Sequence, residues 1–177
     1  MYWVGHIATL ASIFAIFAAL IIAYLMRANN PAFWKPIALP PQLMLSTALL
    51  ILCSVAIETA RWALRERGLQ AYATWLIRTG WLSVAFLVSQ VLCWKILAEN
   101  LDDNQNRGLF FVLTGAHAVH IVGGIAALSY LIWRVYHPWS IDGDIRRKTI
   151  SVMLATYWHF MAIIWLVLYG IFAMHSS

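Results

Sequence analysis

The stretch that decides the fold is LFFVLTGAHAVHIVGGIAALSYLIW, Leu109–Trp133, a run without a single Asp, Glu, Lys or Arg. A helix needs about 20 mostly apolar residues to cross a hydrocarbon layer, and this run exceeds that length. Working outward, Trp3–Leu25, Leu43–Leu64, Tyr72–Leu97 and Ile150–Met174 are apolar runs of comparable length. The connections are Arg27–Gln42, a basic turn at Arg65–Gly68, an acidic loop at Glu99–Arg107, and His137–Lys148. Pro31, Pro36, Pro40 and Pro41 hold the first connection extended, and Pro41 suits the opening of the second helix. The pattern predicts an all-α polytopic membrane bundle of five transmembrane helices, forming a single transmembrane domain over residues 1–177. Neither an internal repeat nor a broken mid-membrane helix points to a transporter.

Composition agrees. Of 177 residues 63% are hydrophobic and 11% charged, too little charge to cover a water-soluble surface. The net charge of +5 is dispersed between apolar runs, so it reads as a topology signal and contact with anionic lipid heads, not a nucleic-acid surface. The first run lacks a basic leader and is too long for a signal segment, so it is expected to stay as a membrane helix. Cys53 and Cys93 lie inside apolar runs and read as small core residues.

Cationic residues set an expected orientation. Arg61, Arg65, Arg67, Arg78, Arg134, Arg146, Arg147 and Lys148 fall on the side of the N-terminus. Arg27, Lys35, Lys95 and Arg107 fall on the other, diluted by Glu99, Asp102 and Asp103. The bias predicts a cytoplasmic N-terminus and an external C-terminus.

Ionisable groups inside a bilayer are expensive and call for an explanation. Glu58, His117, His120 and His159 are such groups. Glu58 and Arg61 stand one turn apart on one helical face and predict an ion pair. Depth along antiparallel helices places His120 level with His159, which allows contact between them, direct or through water. The reading preferred is that the imidazoles hydrogen-bond across helices and hold the bundle together. The alternative is metal or haem ligation, for which the one-turn spacing of His117 and His120 is suited. Gly115, Gly123 and Gly124, with Ala116, form stripes of small residues that predict close helix approach, with Gly123 singled out as a packing position. Ser46, Thr47 and Ser54 read as packing hydroxyls. The chain lacks a phosphate loop, a dinucleotide glycine pattern after a strand, and an HExxH motif.

Three stretches, in order, carry a resemblance to a known family. Leu39-Pro40-Pro41 with Ser46-Thr47-Ala48-Leu49-Leu50 and Glu58-Thr59-Ala60-Arg61 is the first. Phe110 to Gly124, with its G-x-H-x-x-H core, is the second. Tyr157-Trp158-His159-Phe160 with Trp165 and Leu168-Tyr169 is the third. Over roughly residues 39–174 the chain resembles subunit III of the haem–copper (cytochrome c) oxidases, in the five-helix bacterial form that lacks two N-terminal helices of the longer type.

The resemblance implies a subunit of a respiratory oxidoreductase in the bacterial plasma membrane, with no catalytic centre or metal of its own. Haem and copper are expected in the partner catalytic subunit, subunit I. The implied roles are packing against that subunit and other membrane subunits, binding phospholipid, and sustaining proton uptake during oxygen reduction. Glu58, Arg61, His117, His120, Tyr157, Trp158 and His159 are the residues expected to serve them. No nucleic acid or soluble substrate is expected. Cys93 and Ala162 stand where many members carry acids, and Pro41 and Gln42 stand where longer members place a membrane carboxylate. Glu58 is therefore the intramembrane acid left for a proton role. Two alternatives stay open: an accessory subunit of nitric oxide reductase, and a cytochrome b-type anchor holding haem through His117 or His120 and His159.

Overall fold

Helix boundaries follow from local chemistry. In the computed structural model, which describes residues 2–30, 39–100, 105–137 and 143–176, five helices run in order: α1 Tyr2–Ala28, α2 Gln42–Glu66, α3 Leu69–Asn100, α4 Gln105–Tyr136 and α5 Gly143–Met174. All five contain a segment long and apolar enough to cross a membrane. Pro40 and Pro41 open α2 as the sequence suggests, their carbonyls accepting from the Leu43 and Met44 amides at 3.0 and 3.1 Å. Pro31 and Pro36, and the acids Asp102 and Asp103, lie outside the described residues.

The helices exceed the apolar runs. α3 continues to Asn100 and α4 begins at Gln105, so most of the expected Glu99–Arg107 loop is helix. α5 likewise starts at Gly143, ahead of Ile150. Backbone hydrogen bonding does not stop where hydropathy does, and polar helix ends can extend past the hydrocarbon into the headgroup region. Arg78 lies within α3, its guanidinium 4.5 Å from the centre of the Trp75 ring. That contact is a cation–π pair suited to the interface.

The turn between α2 and α3 sets the first pairing. The Arg67 amide donates to the Ala63 carbonyl at 2.8 Å, and Gly68 takes φ +85°, the left-handed conformation that closes a helix. Tyr72 then donates to the Gly68 carbonyl at 3.2 Å as α3 begins. So short a link forces α2 and α3 to run antiparallel as neighbours.

Burial recurs with a seven-residue period. On α2 the buried positions include Leu43, Leu50 and Ile57 in one series and Ser46, Cys53 and Ala60 in the other. On α3 they are Tyr72, Thr79, Phe86 and Cys93, interleaved with Leu76, Ser83, Gln90 and Leu97. α5 repeats the pattern with Leu154, Met161 and Leu168 between Ser151, Trp158, Trp165 and Phe172. A sustained 3.5-residue average is the signature of left-handed, knobs-into-holes packing, common in membrane bundles. α2, α3, α4 and α5 close into a ring, each touching the next and α5 returning to α2. Among the described residues, α1 lies outside it against α4 and α5.

Small and hydroxyl-bearing residues line the α2–α3 seam. Ser46 and Ser89 share a hydrogen bond at 2.8 Å, and the Cys53 sulfur lies 3.6 Å from the Ser83 hydroxyl. Both cysteines are buried free thiols. Dispersion at close backbone approach, with short hydrogen bonds, supplies the attraction that the hydrophobic effect does not supply between helices in lipid.

The seam should resist added volume. Ala60→Leu, at a site with no exposure, is expected to destabilise the chain by about 1–3 kcal/mol. Val88→Leu, at 54% exposure, is expected to stay within about 0.5 kcal/mol. Reversible unfolding by detergent titration would check the difference.

Candidate functional site

His117 is fully buried within a wall of aromatic rings. Phe17 of α1, Phe86 of α3 and Trp165 of α5 lie with ring centroids 6.2, 5.7 and 5.2 Å from the imidazole. Trp165 is in turn tied to α2, its indole Nε1–H donating to the Thr47 hydroxyl at 3.0 Å. Neither ring nitrogen of His117 has a hydrogen-bond partner among the described residues. Orphaning a buried polar group typically costs about 1–3 kcal/mol, which edge-to-face contacts with Phe17 and Phe86 offset in part.

His120 turns back on its own helix, with Nδ1 2.7 Å from the Ala116 carbonyl. Its ring also meets Phe17 at 5.5 Å, so both α4 histidines help seat α1. Tyr157 of α5 reaches across to donate its hydroxyl to the His120 backbone carbonyl at 2.6 Å. Beside this bond the close approach occurs at Gly124. A Cβ there would stand 2.9 Å from the Tyr157 ring and 3.3 Å from the Trp158 indole. Gly115 has open space on its side-chain position, and a Cβ on Gly123 would meet nothing nearer than the Tyr157 hydroxyl at 4.0 Å. The expected small-residue contact therefore narrows to Gly124, because only its face of α4 is turned toward the α5 aromatics.

His159 does not take His120 as its partner. Its Nε2 lies 3.5 Å from Glu58 Oε2, and Arg61 donates to the same oxygen at 2.7 Å. The expected Glu58–Arg61 pair is present, and His159 adds a link from α5. Equal depth places two residues at one level but says nothing of the faces they occupy. Cross-helix hydrogen bonding by all three imidazoles is likewise corrected: among the described residues only His159 has a polar side-chain partner on another helix, Glu58, while His117 and His120 meet other helices through ring contacts.

Glu58 and His159 open onto a groove of about 670 Å³ between α2 and α5, lined also by Ser54, Trp62, Ala162 and Ile163. A second groove of about 400 Å³ lies between α1, α4 and α5, where His6, Gly123 and Tyr157 meet. Among the described residues, no three His, Cys, Asp or Glu side chains gather closely enough to hold a metal ion. Sequence reading missed Phe17, Phe86 and Ser89, since one more Phe or Ser in an apolar span carries no distinguishing signal.

The arrangement defines a polytopic helical membrane protein whose mid-helix histidines His117 and His120 are built into helix packing and whose mid-span carboxylate faces outward. The chain belongs to the cytochrome c oxidase subunit III family, whose model matches residues 2–177. It is 28% identical over 168 residues to the cytochrome c oxidase subunit 3 of Thermostichus vulcanus, covering 93% of this chain and 83% of the relative. The subunit 3 of a Synechocystis strain is 29% identical over 160 residues, covering 88% of this chain and 67% of that one. A probable subunit 3 from Mycobacterium tuberculosis is 25% identical over 185 residues, covering 97% and 86%. With five helices among the described residues long and apolar enough to span a membrane, and bacterial relatives, the chain is an integral protein of the bacterial plasma membrane and of the respiratory chain.

The packing at Gly124 gives a direct test. Gly124→Leu is expected to lose about 1–3 kcal/mol by pushing Tyr157 and Trp158 aside. Gly115→Leu, with open space before it, should change stability by under about 0.5 kcal/mol. Thermal unfolding of the purified chain in detergent distinguishes them.

Proposed function

We propose that this chain is the non-redox subunit III of a respiratory haem–copper terminal oxidase, acting as one membrane domain that packs against the catalytic subunit. Haem and copper then belong to that partner. The observation that supports this reading most is the dispersal of the histidines: His117 is walled by rings, His120 bonds its own helix and His159 pairs with Glu58. A bis-histidine haem anchor needs two imidazoles aimed at one space, and these three aim at different partners. Tyr157 and Trp158 fit the same role, clamping α5 on Gly124.

The positive-inside bias supports a cytoplasmic N-terminus. Phospholipid covers the apolar outer surface, where residues such as Val119 and Met26 are exposed. Support of proton uptake falls to Glu58, the carboxylate nearest the middle of a span, held by Arg61 and His159.

Gentle detergent purification with mass identification and an optical spectrum tests the assignment. The expected outcome is co-purification with a haem- and copper-bearing subunit, with the haem bands unaltered by His159→Leu. A low-spin b-type spectrum in the isolated chain that disappears in that variant would overturn it. For the proton role, Glu58→Gln is expected to slow sustained turnover and alter the pH–rate profile of the whole oxidase. Superimposable profiles would remove Glu58 from proton uptake.

A further inference from the structure

The cluster of Glu58, Arg61 and His159 poses a problem of depth. Ser54 is the midpoint of α2, and Glu58 lies one turn, about 6 Å, beyond it. His159 lies nine residues, about 14 Å, inside the apolar run of α5 that opens at Ile150. Lipid headgroups begin about 15 Å from the bilayer centre. A phospholipid lying in the groove would therefore bring acyl chain, not headgroup, to Glu58.

Acyl chains donate no hydrogen bonds, and an exposed polar group in hydrocarbon must find a partner. Both side-chain contacts of Glu58 go to Oε2. Oε1 is left without a hydrogen-bond partner among the described residues, on a side chain 46% exposed and lining the groove. Small Ser54 and Ala162 open the groove floor, while Trp62, Ile163 and Val55 stand along it exposed by 41, 60 and 57%. By contrast, the outward face of α4 presents Val112, Val119 and Val122, which acyl chains satisfy fully.

We infer that the α2–α5 groove is a docking face for a transmembrane helix of another subunit, one carrying a hydrogen-bond donor that reaches Glu58 Oε1. A Lys, Arg, hydroxyl or amide side chain supplies that donor, and charge complementarity to a carboxylate favours the cationic pair. The aliphatic ridge of the same helix fills the space beside Ile163 and Leu166. This rests on the reading of the chain as a subunit of a larger complex, and goes beyond it by assigning the face and the chemistry of contact.

Site-specific photo-cross-linking in intact membranes tests it. Benzoylphenylalanine at Ile163, with the rest of the chain unchanged, should yield an adduct with another membrane subunit. The adduct peptide should come from a transmembrane segment containing a Lys, Arg, hydroxyl or amide side chain. Glu58→Leu should reduce that adduct about fivefold or more, the scale of one lost charge-assisted bond between helices, while Glu58→Gln, which keeps an acceptor oxygen but loses the charge, should reduce it by less. Adducts only with lipid, quinone or a second copy of this chain would overturn the inference. So would a partner segment without a donor, or an adduct indifferent to Glu58→Leu. An adduct with a donor-bearing subunit of a complex lacking haem and copper would keep the docking face and overturn the oxidase assignment instead.

Discussion

The imidazole of His117 stands where the helices converge, and the rest of the bundle is arranged around it. Phe17, Phe86 and Trp165 bring α1, α3 and α5 to its ring, and the Trp165–Thr47 hydrogen bond adds α2. Among the described residues, α1 buries Ile13, Phe17 and Tyr24 and packs against α4 and α5. The seat that His117 and His120 make for Phe17 therefore does much to decide where α1 lies. A polar ring among aromatic faces also has fewer equivalent packings than an aliphatic side chain, which favours one arrangement over many.

Lipid as solvent explains the composition of the seams. A soluble bundle buries its apolar residues, but acyl chains are as apolar as leucine and exert no such preference. What distinguishes inside from outside here is close contact and polarity. Ser46, Thr79, Ser83, Ser89, Gln90 and Thr114 are all buried, while many valines, isoleucines and tryptophans face outward. Trp94 illustrates the logic, donating its indole N–H to the Thr114 hydroxyl of α4 at 3.0 Å. A hydroxyl that bonds its own helix and accepts from the next is satisfied twice within the protein, as Thr114 is by also donating to the Phe110 carbonyl.

The α2–α5 groove departs from this pattern. Ala162 lines the groove beside His159 rather than filling it with an acid, and Glu58 supplies the carboxylate from the facing helix. The negative charge thus sits on α2, where Arg61 one turn away balances it, and His159 ties it to α5. The Glu58 side chain nevertheless stays 46% exposed and lines the groove.

Much was legible in the chain itself. The number of helices follows from five long apolar runs, since only a helix satisfies its own backbone in lipid. The Glu58–Arg61 pair follows from one-turn spacing, and the family from three short motifs in order. Tertiary structure alone decided which faces meet. Sequence placed His120 and His159 at one depth, yet rotation of each helix about its axis sent one to its own backbone and the other to Glu58. It offered three glycines, and only Gly124 carries the aromatic pair of α5. The reason is physical: depth is set by the count of residues along a helix, whereas rotation is set by side-chain fit, and in a chain apolar on every face hydropathy cannot report it.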